Sequence, residues 1–75
     1  MEDRYTLTDL PEVEELYWYI RWTELALYID YANFYCDSVD YACIAAGVAF
    51  KTQEAAERNK YAVYKALTGK DWGKE

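Results

Sequence analysis

Leu16-Tyr-Trp-Tyr-Ile-Arg-Trp22 is the stretch whose reading decides the fold. It is dominated by aromatic and β-branched side chains, which suit a pleated, half-buried surface. As a strand of period two, it sends Trp18, Ile20 and Trp22 one way and Tyr17, Tyr19 and Arg21 the other. The next run alternates too, with Leu25, Leu27, Ile29 and Tyr31 on one face and Glu24, Ala26, Tyr28 and Asp30 on the other. Thr23-Glu24 is then the bend, although no Gly, Asn or Pro stands there to favour a tight hairpin turn. A helical template fits the same residues. Val13, Leu16, Ile20, Leu27, Tyr31 and Phe34 form one helical stripe, and Trp18, Trp22, Leu25 and Ile29 a second. Glu12, Glu15, Thr23, Asp30 and Asn33 form a polar face between them. Two architectures follow. One is an α+β fold, a small antiparallel β-hairpin or meander (about 16–22 and 25–34) packed on a C-terminal helix (about 52–68). The other is an all-α antiparallel helical hairpin. The aromatic run favours the first.

Downstream, Asp37-Ser-Val-Asp-Tyr-Ala-Cys-Ile-Ala-Ala-Gly47 reads as a short helix, with Asp37 as N-cap and Gly47 just past the end. Val48-Ala-Phe50 reads as a short extended piece. Thr52 caps the last helix, Glu54 and Glu57 face its positive end, and Gly69 stops it. Phe50 covers the helix entrance, and Glu54–Arg58 has the spacing of a favourable i,i+4 pair. Trp72 stands alone in a polar tail. Upstream, Asp9-Leu-Pro-Glu12 has the pattern of a helix cap. The ends, 1–8 and 70–75, are expected to be flexible.

Seventy-five residues make one small domain, which buries a modest share of its surface. The apolar fraction of 53% and aromatic fraction of 19% exclude a disordered chain. Nine tyrosines and three tryptophans exceed the needs of so small a core, so some are expected at the surface as binding anchors. Residues 1–40 hold ten acids against Arg4 and Arg21, a net of −8, whereas residues 41–75 carry a net of +2. Such an acidic half repels nucleic acid and attracts basic surfaces. No apolar stretch is long enough for a signal peptide or a membrane span, and a cytoplasmic location is expected. Cys36 and Cys43 are expected to be reduced and to pack as small hydrophobes.

The chain has no histidine. Imidazole catalysis and histidine metal ligation are therefore excluded, and no Ser or Cys has a histidine to activate it. Two cysteines do not complete a structural zinc site, and no Gly-rich phosphate loop is present. Asp37 and Asp40 are read as cap and solvated surface. A non-enzyme without cofactor or metal is the expectation.

Phe34, Asp37-Ser-Val-Asp40 and Gly47-Val-Ala-Phe-Lys-Thr-Gln-Glu-Ala-Ala-Glu57 together resemble a group of small phage and prophage proteins of unassigned function. That group carries an aromatic residue, an acidic pair and a Gly-Asn-x-Phe-x-Thr-x-Glu-Glu-Ala-Glu segment. Leu16-Tyr-Trp-Tyr-Ile20 is similar to the strand that precedes them there. The present chain departs at Val48 and Ala49 and lacks the Asp-Gly hairpin turn. The resemblance implies a β-β-α layout and a mobile-element origin, and it implies no catalytic residues.

The functional expectation combines these readings. It is an acidic inhibitor of a host nucleic-acid-handling or defence protein, anti-CRISPR-like, whose carboxylates occupy a basic groove in place of DNA phosphates. Glu12, Glu14, Glu15, Glu24 and Asp30 would supply the charge, and Tyr17, Tyr19 and Tyr28 the anchors. The partner is then a host protein with a basic surface, with neither nucleic acid nor membrane bound directly. The competing expectation is a homo-oligomeric structural or accessory phage protein, which buries its excess apolar surface between copies.

Overall fold

The aromatic run becomes the central strand of a three-stranded antiparallel sheet. The computed structural model describes residues 3–73 and contains β1 (Leu16–Trp22), β2 (Leu27–Asn33), α1 (Ser38–Ala45), β3 (Ala49–Phe50) and α2 (Gln53–Thr68). The α+β architecture holds, and the all-α alternative does not. Strand order is β2-β1-β3, with Tyr19 paired to Asp30 on one side and to Ala49 on the other. Met1, Glu2, Lys74 and Glu75, part of the ends expected to be flexible, lie outside the described residues.

Alternation along β1 feeds two cores, one on each face of the sheet. Ile20 meets Phe50, Ala55, Ala56 and Val63 beneath α2, with Trp18, Trp22, Leu27 and Ile29 around them. Tyr17 meets Tyr5, Phe34, Ile44 and Ala49 beneath α1. Adjacent Ala49 and Phe50, both wholly buried, point into opposite cores, as strand geometry requires. The small Ala55 and Ala56 let α2 approach the sheet closely, while Leu67, near the end of the helix, is 47% exposed.

The hairpin turn differs from expectation. Leu25 and Ala26 belong to a four-residue connection rather than to β2, and Leu25 is 93% exposed. The Thr23 hydroxyl accepts hydrogen bonds from the amides of Leu25 (3.2 Å) and Ala26 (3.1 Å), and the Thr23 amide donates to the Ala26 carbonyl at 2.8 Å. A threonine side chain thus replaces the positive-φ residues of tighter turns.

The N-terminal segment is not a helix cap. Arg4 bridges to Phe50, the Tyr5 amide donates to Ala49 and the Lys51 amide to Asp3, so residues 3–5 extend the sheet beyond β3. Arg58 pairs with Asp3 at 3.3 Å instead of with Glu54. Gly47, at φ +78°, turns the chain out of α1, and a Cβ there would lie 3.2 Å from the Arg4 guanidinium. Thr52 caps α2 by accepting from the Ala55 amide at 3.1 Å. Trp72 folds back edge-on against Tyr64, 5.2 Å between ring centroids, and Tyr64 meets Trp22 in the same manner at 5.3 Å. No helix among the described residues is long and apolar enough to cross a membrane.

Candidate functional site

The structure divides the predicted binding residues into separate groups. Tyr17, expected as a surface anchor, is 1% exposed and belongs to the core. Its hydroxyl donates to the Asp40 carboxylate at 2.6 Å. Asp40, read as solvated, is buried as well, and it also accepts from the amides of Tyr35 (2.8 Å) and Asp37 (3.3 Å). Burial pushes the Asp40 carboxyl upward, but the bonds from Tyr17, Tyr35 and Asp37 outweigh it and hold it below its ordinary value. Burial, then the bond to Asp40, drives the Tyr17 phenol far upward. This pair locks the start of α1 to β1. Neighbouring Cys43 is half-buried, its thiol raised by burial, whereas Cys36 is exposed, contrary to expectation.

Tyr19, Arg21, Tyr28 and Asp30 share the α1 side of the sheet, where α1 leaves them partly uncovered. Asp30 is not a free charge. It accepts from Arg21 Nη1 at 3.3 Å and from the Tyr19 hydroxyl at 3.4 Å, and Arg21 lies over the Tyr28 ring, 5.7 Å from its centroid. A groove of about 730 Å³ separates this face from α1, bordered by Tyr19, Arg21, Asn33, Tyr35 and Val39. Glu24 sits in the hairpin turn, about 20 Å from the opposite end of the seven-residue strands. It does not join the other glutamates.

Glu12, Glu14 and Glu15 do come together, in the exposed loop that enters β1. The Glu14 amide donates to the Phe34 carbonyl at 2.7 Å, and Asn33 Nδ2 donates to the Glu14 carbonyl at 2.9 Å. Glu15 Oε1 accepts from the Glu12 amide at 2.9 Å. These bonds hold Glu14 at φ +73°, a conformation costly for any residue with a Cβ. Across the loop the chain leaves β2 through Tyr35, 59% exposed, and Cys36, at φ +60°. The open end of the hairpin is therefore acidic, conformationally fixed and flanked by an exposed aromatic ring. Burial, then the charge of Glu15, raises Tyr5 beneath this loop to about 12. Strand parity could have singled out Tyr35, because its neighbour Phe34 faces the core.

Ion pairing sharpens the contrast. Arg21–Asp30, Lys51–Asp9, Arg58–Asp3, Lys60–Glu57 and Lys65–Asp71 consume five carboxylates, and none of these pairs engages Glu12, Glu14 or Glu15. Compared with protein-family models, curated proteins and solved structures, the chain gives no match.

Proposed function

We propose that this chain is a non-enzymatic binding protein whose acidic hairpin end docks on a basic, nucleic-acid-handling surface of a partner. In the phage setting that the sequence resemblance implies, the partner is a host defence or nucleic-acid-handling protein, and docking inhibits it by occupying the path of DNA. The observation that carries the reading is the Glu12-Val-Glu-Glu15 loop, three carboxylates outside the ion pairs of the described residues, on a backbone held rigid by Phe34 and Asn33. Closely spaced fixed negative charge is what a phosphate-binding groove recognises. Exposed Tyr35 supplies an adjacent ring for short-range contact. Tyr19 and Tyr28 lie farther along the same face, and Tyr17 takes no part.

The test is capture of partners on the immobilised chain, followed by elution with duplex DNA. Partners are expected to be DNA- or RNA-binding proteins, to be displaced by duplex DNA, and to be lost with the E12Q/E14Q/E15Q variant. A partner that stays bound in excess DNA, or that binds the triple variant undiminished, overturns the proposal.

A further inference from the structure

The outer edge of β2 ends the sheet, and an unpaired edge is a template for another strand. Which of its amides face outward follows from the register. The Ile20 amide donates to Val48 on the β3 side, and the Phe34 amide donates to Glu15 on the β1 side. Backbone groups alternate along a strand, so Tyr28, Asp30 and Ala32 direct theirs at β1. Leu27, Ile29, Tyr31 and Asn33 direct theirs away from the sheet. The middle of this edge is therefore Ile29 and Tyr31.

One of these amides is already taken. Tyr31 N donates to Asp30 Oδ1 at 2.8 Å. The other carboxylate oxygen, Asp30 Oδ2, is held by Arg21 at 3.3 Å and by the Tyr19 hydroxyl at 3.4 Å. Among the described residues no other group accepts from the outward amides of this strand. Everything else about the edge invites pairing: it is seven residues long, it contains neither Pro nor Gly, and Tyr31 on it is 60% exposed. The partner that always matches is a second copy of the same strand. Two β2 edges meeting antiparallel about a two-fold axis, with Ile29 opposite Tyr31, would set Asp30 directly across from Asp30. That juxtaposition is repulsive, and other registers still need the Tyr31 amide.

We infer that Asp30 is an edge guard, a carboxylate anchored by Arg21 and Tyr19 that occupies the Tyr31 amide and keeps two copies of this chain from pairing through β2. Its role is to maintain the unpaired form rather than to contact a partner.

Sedimentation velocity of the full chain across a concentration series tests this. D30A is expected to associate at concentrations at least about tenfold lower than the wild type, since the amide it frees carries about one hydrogen bond's worth of pairing energy. D30A/Y31P, in which the outward amide is removed without touching the β1 ladder, is expected to return to wild-type behaviour. Hydrogen exchange on the wild type gives a readout independent of any variant's folding: the Tyr31 amide should exchange severalfold more slowly than the Ile29 amide. The inference fails if folded D30A associates no more than the wild type. It also fails if D30A/Y31P associates as D30A does, or if the two wild-type amides exchange alike.

Discussion

At the scale of single residues, Asp40 and Glu14 show two uses of a carboxylate. Asp40 is buried and accepts three hydrogen bonds, so its charge is solvated by the protein. Y17F removes the strongest of these bonds and leaves a buried lone pair unmet, and it should cost roughly 1.5–3 kcal/mol in urea unfolding. Acid should act on the same site. The folded-state value of Asp40 lies below its ordinary 3.8, so the unfolded chain takes up the proton first as pH falls. Its contribution to stability is intact above the ordinary value and is lost as pH falls through the lower folded one. Melting followed by circular dichroism should show that loss, and the loss should shrink in Y17F. Glu14 behaves oppositely. Its side chain is exposed and its backbone strained at φ +73°. E14G should stabilise the fold by up to about 1 kcal/mol, because glycine adopts that conformation freely, and should at the same time weaken partner binding. Neither role was legible in the sequence. The burial of Asp40 depends on Tyr17, 23 residues away, and the φ of Glu14 depends on Asn33 and Phe34 at the far end of the hairpin.

At the scale of elements, α2 was the most legible. Thr52 caps it and Gly69 ends it at φ +75°, because both signals are local and carry their own hydrogen bonds. The hairpin was legible in its period and not in its turn. A search for Gly or Asn misses a connection built on the Thr23 hydroxyl, and it misplaces Leu25 in a strand. T23A deletes two bonds that hold the turn, and T52A deletes the cap of α2. Each should cost about 1 kcal/mol by chemical denaturation. T23A should also speed hydrogen exchange at Arg21 and Tyr28, the ladder pair next to the turn, whereas T52A should leave those amides unchanged. The N-terminal segment was illegible because its pairing with β3 rests on backbone groups, which carry no sequence pattern. Its buried Tyr5, at 6% exposure, contributes to the α1-side core. Y5A should therefore cost about 3 kcal/mol or more.

At the scale of the whole molecule, charges paired within the fold and the charges that the proposed function offers to a partner occupy different residues. The five ion pairs among the described residues join partly exposed side chains, and pairs of that kind contribute about 0–1 kcal/mol each. Stability rests instead on the two cores either side of β1, which salt does not screen. Glu12, Glu14 and Glu15 enter none of these ion pairs among the described residues, the Glu15 carboxylate only accepting the Glu12 amide, and their crowding in one loop is mildly repulsive. Salt should therefore act in two directions. Raising it from about 0.05 M to 0.5 M shortens the screening length from roughly 14 Å to 4 Å. The melting temperature should move by only a degree or two, as relief of repulsion in the acidic loop offsets weakened surface pairs. Affinity for a basic partner should fall at least tenfold over the same range if docking is carried by fixed charge. The E12Q/E14Q/E15Q variant separates the two effects, because it should melt at or slightly above the wild-type temperature and should bind weakly at every salt concentration. A variant that bound weakly because it had unfolded would show the reverse, a lowered melting temperature. Equal salt dependence of binding in the wild type and the triple variant would place the docking surface elsewhere on the molecule.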